Sequence, residues 1–315
     1  MSIPAAAVTR FAEDLAALAP PAGGVGLAVS GGPDSLALVL LAHAALGSAA
    51  VRAATVDHGL RAEAAAEAGG VAAICASIGV AHDTLTVDWP SAPTANIQSA
   101  AREARYELLD RWAQSHGLHA LLTGHHADDQ AETLLMRLAR GSGVSGLAGA
   151  RARSRLPGGT WRLRPLLGWR RSALAEIVSA AGLTPVEDPA NTDDRFDRTR
   201  VRALLAAQGW ADPLRLAASA SHLADAEEAL QFVTEALVER RIAGPDVDPS
   251  GLPRELRRRL LVAGLERFGA SRLRGPDVDR LLAALDAGRS GTLGGVKADP
   301  GPPWHLSKAP PHRGC

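Results

Sequence analysis

The sequence predicts an α/β fold, a parallel sheet with helices on its faces, followed by a small helical domain. Three observations carry that prediction. Short apolar runs alternate with longer helical patterns over residues 25–139. Each run ends in a polar or glycine-containing turn, as strands of βαβ units do. Beyond residue 213 helical patterns stand alone, beginning with a long amphipathic stretch over 214–241.

Taken in order, residues 25–29 (VGLAV) read as the first strand, ending in SGGPDS and followed by the helix LALVLLAHAAL. Residues 51–56 form a second strand that ends at Asp57-His58. An Ala-rich helix covers 71–78 and a third strand 82–87. A helix over 98–115 carries Arg102, Arg105 and Tyr106, and residues 119–123 are a fourth strand that runs into GHHADDQAETLLMRLAR. Residues 141–159, rich in Gly, Ser and Arg, read as a loop. Helices are expected over 174–181, 199–208, 254–268 and 277–287. The expected division is 1–213 for the sheet domain, 214–299 for the helical domain and 300–315 for a frayed Pro-rich tail.

The 315 residues suffice for roughly two domains. With 46% apolar and 22% charged residues, disorder, collagen and coiled coil are excluded for the chain as a whole. Two cysteines, Cys75 and Cys315, exclude a four-cysteine zinc site and a disulfide framework, and no CxxC is present. The start MSIPAAAVTRFAEDL lacks a basic segment, and the longest apolar stretch, 36–51, falls short of the ~20 residues of a spanning helix. A cytoplasmic protein with no membrane partner is therefore expected. Net charge is zero, with 34 basic and 34 acidic residues. Locally, however, residues 137–171 hold nine Arg and no Asp or Glu. A GC-biased coding sequence would explain the preference for Arg over Lys but not that absence of acids.

Ser30-Gly31-Gly32-Pro33-Asp34-Ser35 lies between a strand and a helix. Such a turn brings backbone close to a phosphate, and the helix start offers unpaired N–H groups. Asp34 would repel phosphates unless a divalent cation lay between them, so it reads as a Mg²⁺ ligand. A plain strand-to-helix turn with Ser and Asp as caps is the bland alternative, and six matched residues in context weigh against it.

SGGPDS resembles the SGGxDS signature of the ATP-pyrophosphatase (PP-loop) superfamily, which cleaves ATP to AMP and pyrophosphate while adenylating a substrate. Three further stretches, VDHGLR (56–61), TGHHADDQAET (123–133) and EDPANT (187–192) with Arg195, Phe196, Asp197, Arg198 and Arg200, are similar to the tRNA(Ile)-lysidine synthetases. The match runs in order over roughly residues 25–205, and a second C-terminal domain found in longer members is missing. The resemblance implies a PP-loop ATP-pyrophosphatase domain followed by a small helical tRNA-binding or substrate domain. It also implies ATP as substrate with Mg²⁺, free L-lysine, a tRNA(Ile) bearing a CAU anticodon, and a homodimer. The product, lysidine, forms when lysine displaces AMP from C2 of the adenylated wobble cytidine, and it changes codon reading from AUG to AUA.

The candidate ATP-binding residues are Ser30, Gly31, Gly32, Pro33, Asp34, Ser35, Val56, His58 and Arg61. The candidate catalytic residues are Asp34, His125, Asp128, Asp129 and Glu132. Lysine brings two ammonium groups, which carboxylates would bind and help deprotonate. Asp128 and Glu132 share a helix face by their i,i+4 spacing. Acids at a helix start also favour the dipole, and Asp128 would serve as an N-cap. A zinc site of His125, His126 and Asp128 is rejected, because HExxH spacing is absent. For tRNA or substrate contacts the candidates are Arg105, Arg137, Arg140, Arg164, Asp188, Asn191, Arg195, Arg198 and Arg200, since Arg forks match phosphate oxygens. Trp161 and Trp169 would stack on an unpaired base or pack in the core, and Arg254, Arg257, Arg258 and Arg259 would contact an acceptor stem or form an exposed helix face. Three other functions would place different demands on the sequence. A tRNA thiolase would call for catalytic cysteines. A binding module without catalysis would have a damaged SGGxDS. An amide ligase for a small metabolite would not need the acid-free basic segment.

Overall fold

The structure, a computed structural model, describes residues 3–59, 64–89, 97–185, 197–271 and 273–309. It divides into two compact units, Met1–Ala224 and Asp225–Cys315.

The first unit contains α1 (Ala5–Ala17), β1 (Val25–Ala28), α2 (Pro33–Leu46), β2 (Val51–Asp57), α3 (Ala64–Ser77), β3 (Ala81–Thr86), α4 (Ile97–Ser115), β4 (Ala120–Thr123) and α5 (Ala127–Ala139). These are followed by α6 (Val144–Leu147), β5 (Arg153–Arg155), β6 (Trp161–Leu163), α7 (Arg171–Ala180), α8 (Asp197–Ala207) and the start of α9 (Pro213–Arg241). The sheet order is β3-β2-β1-β4-β6-β5, parallel throughout except for β5, which runs antiparallel to β6. Neighbours of β1 lead off in opposite sequence directions, so a switch point lies between β1 and β4. Ligands of open α/β sheets bind in the crevice outside the strand ends at such a point.

The core explains why α2 carries no polar face. Residues 35–42 are all buried, because α1 and α7 cover the helix on the side away from the sheet. Fully burying each of Leu36, Leu38, Leu40 and Leu41 contributes about 1.5–3 kcal/mol. On the opposite sheet face, Tyr106, Leu109 and Trp112 of α4 pack with Leu121 and Leu156. Asp83 of β3 joins this layer to the sheet, accepting from Arg52 Nε (2.7 Å) and Trp112 Nε1 (2.8 Å). The Arg52 hydrogen bond, opposed by burial and aided by Trp112, holds the Asp83 carboxyl at about 2. A depressed carboxyl stabilises the fold above its unfolded value, near 3.8, and that contribution is lost as pH falls toward 2. Thermal melting between pH 4 and 2 should show this loss, and D83N should flatten that part of the pH dependence.

Residues 141–159, expected as loop, contain α6 and β5. The segment RARSR has no apolar alternation, because β5 is an edge strand whose charged side chains face water.

In the second unit, the end of α9 is followed by β7 (Ile242–Ala243), β8 (Asp246–Val247), α10 (Arg254–Arg267), α11 (Gly275–Asp286), β9 (Gly291–Leu293), β10 (Val296–Asp299) and β11 (Trp304–Lys308). The expected helices are present, but they pack on an antiparallel sheet of order β7-β8-β11-β10-β9 that the periodicity did not reveal. Gly294 and Gly295, both at positive φ (58° and 79°), make the two-residue turn that joins β9 to β10. The segment from Pro300, read as a frayed tail, supplies β11, and Trp304 is 3% exposed in the core. The basic row on α10 is self-paired. Arg254 and Arg258 face Asp279, Arg257 faces Asp286, and Arg259 pairs with Glu227. Among the described residues, no helix is long and apolar enough to cross a membrane.

Candidate active site at the carboxyl ends of β1 and β4

The turn after β1 closes on itself. The Ser35 hydroxyl donates to Gly32 O (2.9 Å) and accepts from Ser30 N (3.1 Å), which fixes the loop that opens α2. Pro33 sits in the first turn of α2, where its missing N–H costs nothing, and Asp34 follows it. The turn after β4 presses directly against this loop. A Cβ on Gly124 would lie 2.9 Å from Asp34 O and 3.2 Å from Ser35 N, so only glycine allows the two turns to meet.

His126 joins the two turns. It is 2% exposed and stands at the N-cap position of α5, its backbone N–H donating to Asp129 Oδ2 (3.2 Å). Its Nε2 lies 3.3 Å from Asp34 Oδ2, and its Nδ1 lies 3.6 Å from Asp128 Oδ2. Burial alone would lower its pKa, but Asp128, Asp34 and Asp129 outweigh burial and raise it to about 9. Asp128 also accepts from Arg171 N (2.8 Å), tying α5 to the start of α7. Burial opposes ionisation of Asp128, yet His126, Arg171 N and Arg170 hold it at about 2. Glu132, 1% exposed, accepts from Arg198 Nε (2.5 Å) and Arg202 Nε (2.9 Å), and Arg198 also grips Asp129. Asp128 and Glu132 line a cavity of about 170 Å³ together with Arg170, Arg171 and Arg202.

Beside the acids stands a basic cluster that holds no acid among the described residues. The guanidiniums of Arg162, Arg105 and Arg102 lie 4.6, 5.0 and 5.2 Å from the Tyr106 ring centre. Arg164 is 3% exposed and donates to Arg151 O. Its Nε and that of Arg105 are buried without a hydrogen-bond partner. Burial, then Arg162 and Arg102, lower Arg164 to about 10. His125 receives or donates a 2.9 Å hydrogen bond at Thr123 Oγ1, and burial followed by Arg164, Arg105 and Arg102 pushes it well below its ordinary value. His125 is therefore neutral at pH 7. At the end of β2, His58 is shifted down by burial and Arg105, and its Nδ1 is buried without a partner. Four cations with no carboxylate of the described residues among them suit an anion.

A family model described as a PP-loop domain matches residues 5–208. A tRNA(Ile)-lysidine synthase of Novosphingobium aromaticivorans is 50% identical over 98% of this chain and 95% of its own length. Another, of Zymomonas mobilis, is 45% identical over 93% of this chain and 91% of its own. The chain belongs to the tRNA(Ile)-lysidine synthase family. A solved U34-tRNA thiolase NcsA of Methanococcus maripaludis, with its [4Fe-4S] cluster, superposes with a TM-score of 0.59 at 16% identity, covering 70% of this chain and 78% of that one. That likeness shows the shared fold alone. In this lysidine synthase family member Cys75 is buried and pushed up to about 11 by burial, so it is no thiolate. Among the described residues no three His, Cys, Asp or Glu side chains group to hold a metal ion.

Of the residues expected from sequence, Ser30 to Ser35, His125, Asp128, Asp129, Glu132 and Arg198 gather around the two turns, with Arg105, Arg164, Val56 and His58 on the α4 side of the sheet. Arg61, Asp188, Asn191 and Arg195 lie outside the described residues. Arg137 holds a loop, donating to Gly146 O and to Gly149 O (3.4 Å), while Arg140 and Arg200 are exposed. Trp169 is a core residue: its Nε1 donates to Asp14 (2.7 Å) and Arg10 covers its ring. The helix cap is His126 rather than Asp128. Sequence reasoning placed His126 and Gly124 in the TGHHADDQAET stretch without naming either as a site residue, and it did not join Arg102, Tyr106 and Arg162 to the site. The HH doublet and the RxxRY spacing of α4 were the signals available. G124A should push the two turns apart, destabilising the fold by about 1–3 kcal/mol and lowering activity more than stability explains. Paired melting and kinetic measurements would separate the two effects.

Proposed function

We propose that this chain ligates free L-lysine to C2 of the wobble cytidine of a tRNA(Ile) with a CAU anticodon, consuming ATP and releasing AMP and pyrophosphate. The observation that carries this is the phosphate loop packed against an acidic turn, in a chain related to lysidine synthases over nearly its whole length. Lysidine at that position would read AUA in place of AUG, and the enzyme would work in the cytoplasm.

The reaction has two halves. In the first, O2 of the cytidine bonds to the α-phosphorus of ATP, the bond to the bridging oxygen breaks, and pyrophosphate leaves with its charge. The amides at the start of α2 and the arginines 102, 105, 162 and 164 are the groups that would stabilise that charge. Asp34 Oδ1, buried without a partner, suits a hard cation that keeps most of its ligands as water and phosphate oxygens. Mg²⁺ bound there would neutralise phosphate charge as pyrophosphate departs. His126, held by three carboxylates, keeps Asp34 facing the loop.

In the second half, the ε-amine of lysine bonds to C2, the C2–O bond breaks and AMP leaves. Lysine presents two ammonium groups and a carboxylate, and the cavity of Asp128, Glu132, Arg170 and Arg202 offers both signs of charge. Asp128, at about 2, is a weak base and would bind an ammonium rather than deprotonate it. His125, kept neutral by burial among the arginines, would accept a hydrogen bond from the lysine amine and orient it. The proton would pass on to solvent, because a protonated His125 would be a fifth cation in the pocket.

Pyrophosphate release from ATP tests the first half by itself. Release should require a transcript with C at the wobble position and should fail with U there. Release independent of the wobble base would transfer the loop to another substrate.

A further inference from the structure

The β5–β6 hairpin carries a second basic group, on the sheet face opposite the catalytic arginines. Residues paired across an antiparallel ladder share a face. Arg155 pairs with Trp161 and Arg153 with Leu163, whereas Ser154 pairs with Arg162. Arg153 and Arg155 therefore stand on the α1 side and Arg162 on the α4 side, as their contacts confirm. Arg162 Nε donates to Ser154 Oγ (3.2 Å) and covers Tyr106, while Arg153 Nη1 donates to Leu18 O (3.2 Å) just past α1.

The guanidiniums of Arg153 and Arg155 lie 3.8 and 4.2 Å from the Trp161 ring centre. Both side chains are exposed, and among the described residues their hydrogen-bond partners are backbone carbonyls, Leu18 O and Gly159 O. Neither forms an ion pair with a described carboxylate. Stacking on the indole fixes each guanidinium plane and leaves N–H edges for a fork-like contact. Beside them opens a cavity of about 390 Å³, walled by His119, Arg155, Gly158, Thr160 and Trp161. Thr160 is 4% exposed, and its Oγ1 is buried without a hydrogen-bond partner. The nearest buried acid, Asp110, is spent beneath the loop, accepting from Gly158 N (2.6 Å) and Thr160 N (3.4 Å).

We propose that this hairpin is a phosphate-binding site, separate from the catalytic cluster, that holds the sugar-phosphate backbone of the RNA substrate. It rests on the reading of a tRNA substrate given above. Trp161 pairs with Ala120, three residues before the end of β4, which sets the site about 10 Å back from the catalytic end of the sheet. A small nucleotide bound at the switch point does not reach there, whereas a polymer presenting one base to the switch point has further phosphates to place. Two stacked arginines with no base-reading amide or carboxylate suit backbone contact, which positions a nucleic acid without reading sequence.

The test is direct binding of a tRNA(Ile) transcript with a CAU anticodon, and of a second tRNA with another anticodon, to the full chain and to R153A/R155A. The double variant should weaken both tRNAs roughly tenfold and reduce the slope of log K against log salt by about 1.4–1.8, as expected for two lost phosphate contacts. At saturating tRNA its kcat and its KM for ATP should stay within twofold. R153K/R155K should restore the salt slope, because it returns the charges. Unchanged tRNA affinity and slope would overturn the site, as would a matching loss in the KM for ATP, which would mean that the hairpin acts through the fold. Hairpin-dependent tRNA binding without any lysidine formed would strike the functional reading and leave the site standing.

Discussion

D34N should reduce lysidine formation roughly 10³-fold, the scale of losing one preorganised electrostatic group at a reacting phosphate. The substitution keeps the size of the side chain and removes its charge. His126 retains Asp128 and Asp129, at 3.6 Å each, so the link between the turns survives and melting should shift by no more than about 2 °C. The loss should fall on pyrophosphate release as well as on lysine transfer, because Asp34 belongs to the first half of the reaction. A variant that keeps a tenth of the activity would remove Asp34 from the chemistry and leave it as a helix-start residue. Raising Mg²⁺ should not rescue the asparagine variant, whose amide oxygen is a weaker ligand for a hard cation.

E132Q is expected to act on stability and activity together. The Glu132 carboxylate receives one guanidinium on each oxygen, Arg198 on Oε2 and Arg202 on Oε1. Removing the buried member of such a group costs about 3–5 kcal/mol, because the partner charges are left without compensation. Arg198 is 46% exposed and Arg202 31% exposed, so both can turn partly toward water. That relief favours the lower end, about 3 kcal/mol, or roughly 10 °C in melting for a unit of this size. A second substitution, R202M, should recover part of the stability in the E132Q background by removing one stranded cation. The KM for lysine should rise in E132Q, because the cavity loses a carboxylate, and should stay raised in the double variant. Recovery of both stability and lysine KM would confine Glu132 to holding α8 against α5.

The catalytic half of the fold was legible because two signals coincide there. The runs at 25–29, 51–56 and 119–123 are dominated by apolar residues on both faces, broken in the second by Arg52 and Thr55, as strands buried in a parallel sheet tend to be, and each ends in a polar turn. The other strands lacked that signal. β5 is three residues long with two arginines, and its edge position rewards charge rather than alternation. In the second unit β7 and β8 are two residues each, too short for any period to register. The Gly294-Gly295 pair between Leu293 and Val296 was the one local hairpin signal, and the prolines that follow disguised β11 as a tail.

The site itself was legible by motif and less so by role. Asp34, Asp128, Asp129 and Glu132 could be named from spacing, yet spacing does not show that Arg198 and Arg202 come from α8 to pair with them. Nor does it separate the two adjacent histidines. His125 enters the arginine pocket and loses its charge, while one residue later His126 turns toward three carboxylates and gains one. The arginine cluster was hidden because its members come from α4, β6 and the residue after β6. Only the sheet register brings Arg162 and Arg164 over Tyr106. In the second unit charge density misled in the opposite direction, since the α10 arginines find Asp279, Asp286 and Glu227 only once α11 and α9 fold beside them.

The measurement that tests the central claim most directly is incorporation of labelled lysine into a tRNA(Ile) transcript bearing CAU, with ATP and Mg²⁺ present. The expected result is label covalently retained on the tRNA, dependent on ATP, on C at the wobble position and on Asp34. ATP converted to AMP and pyrophosphate with no lysine on the tRNA would contradict the account.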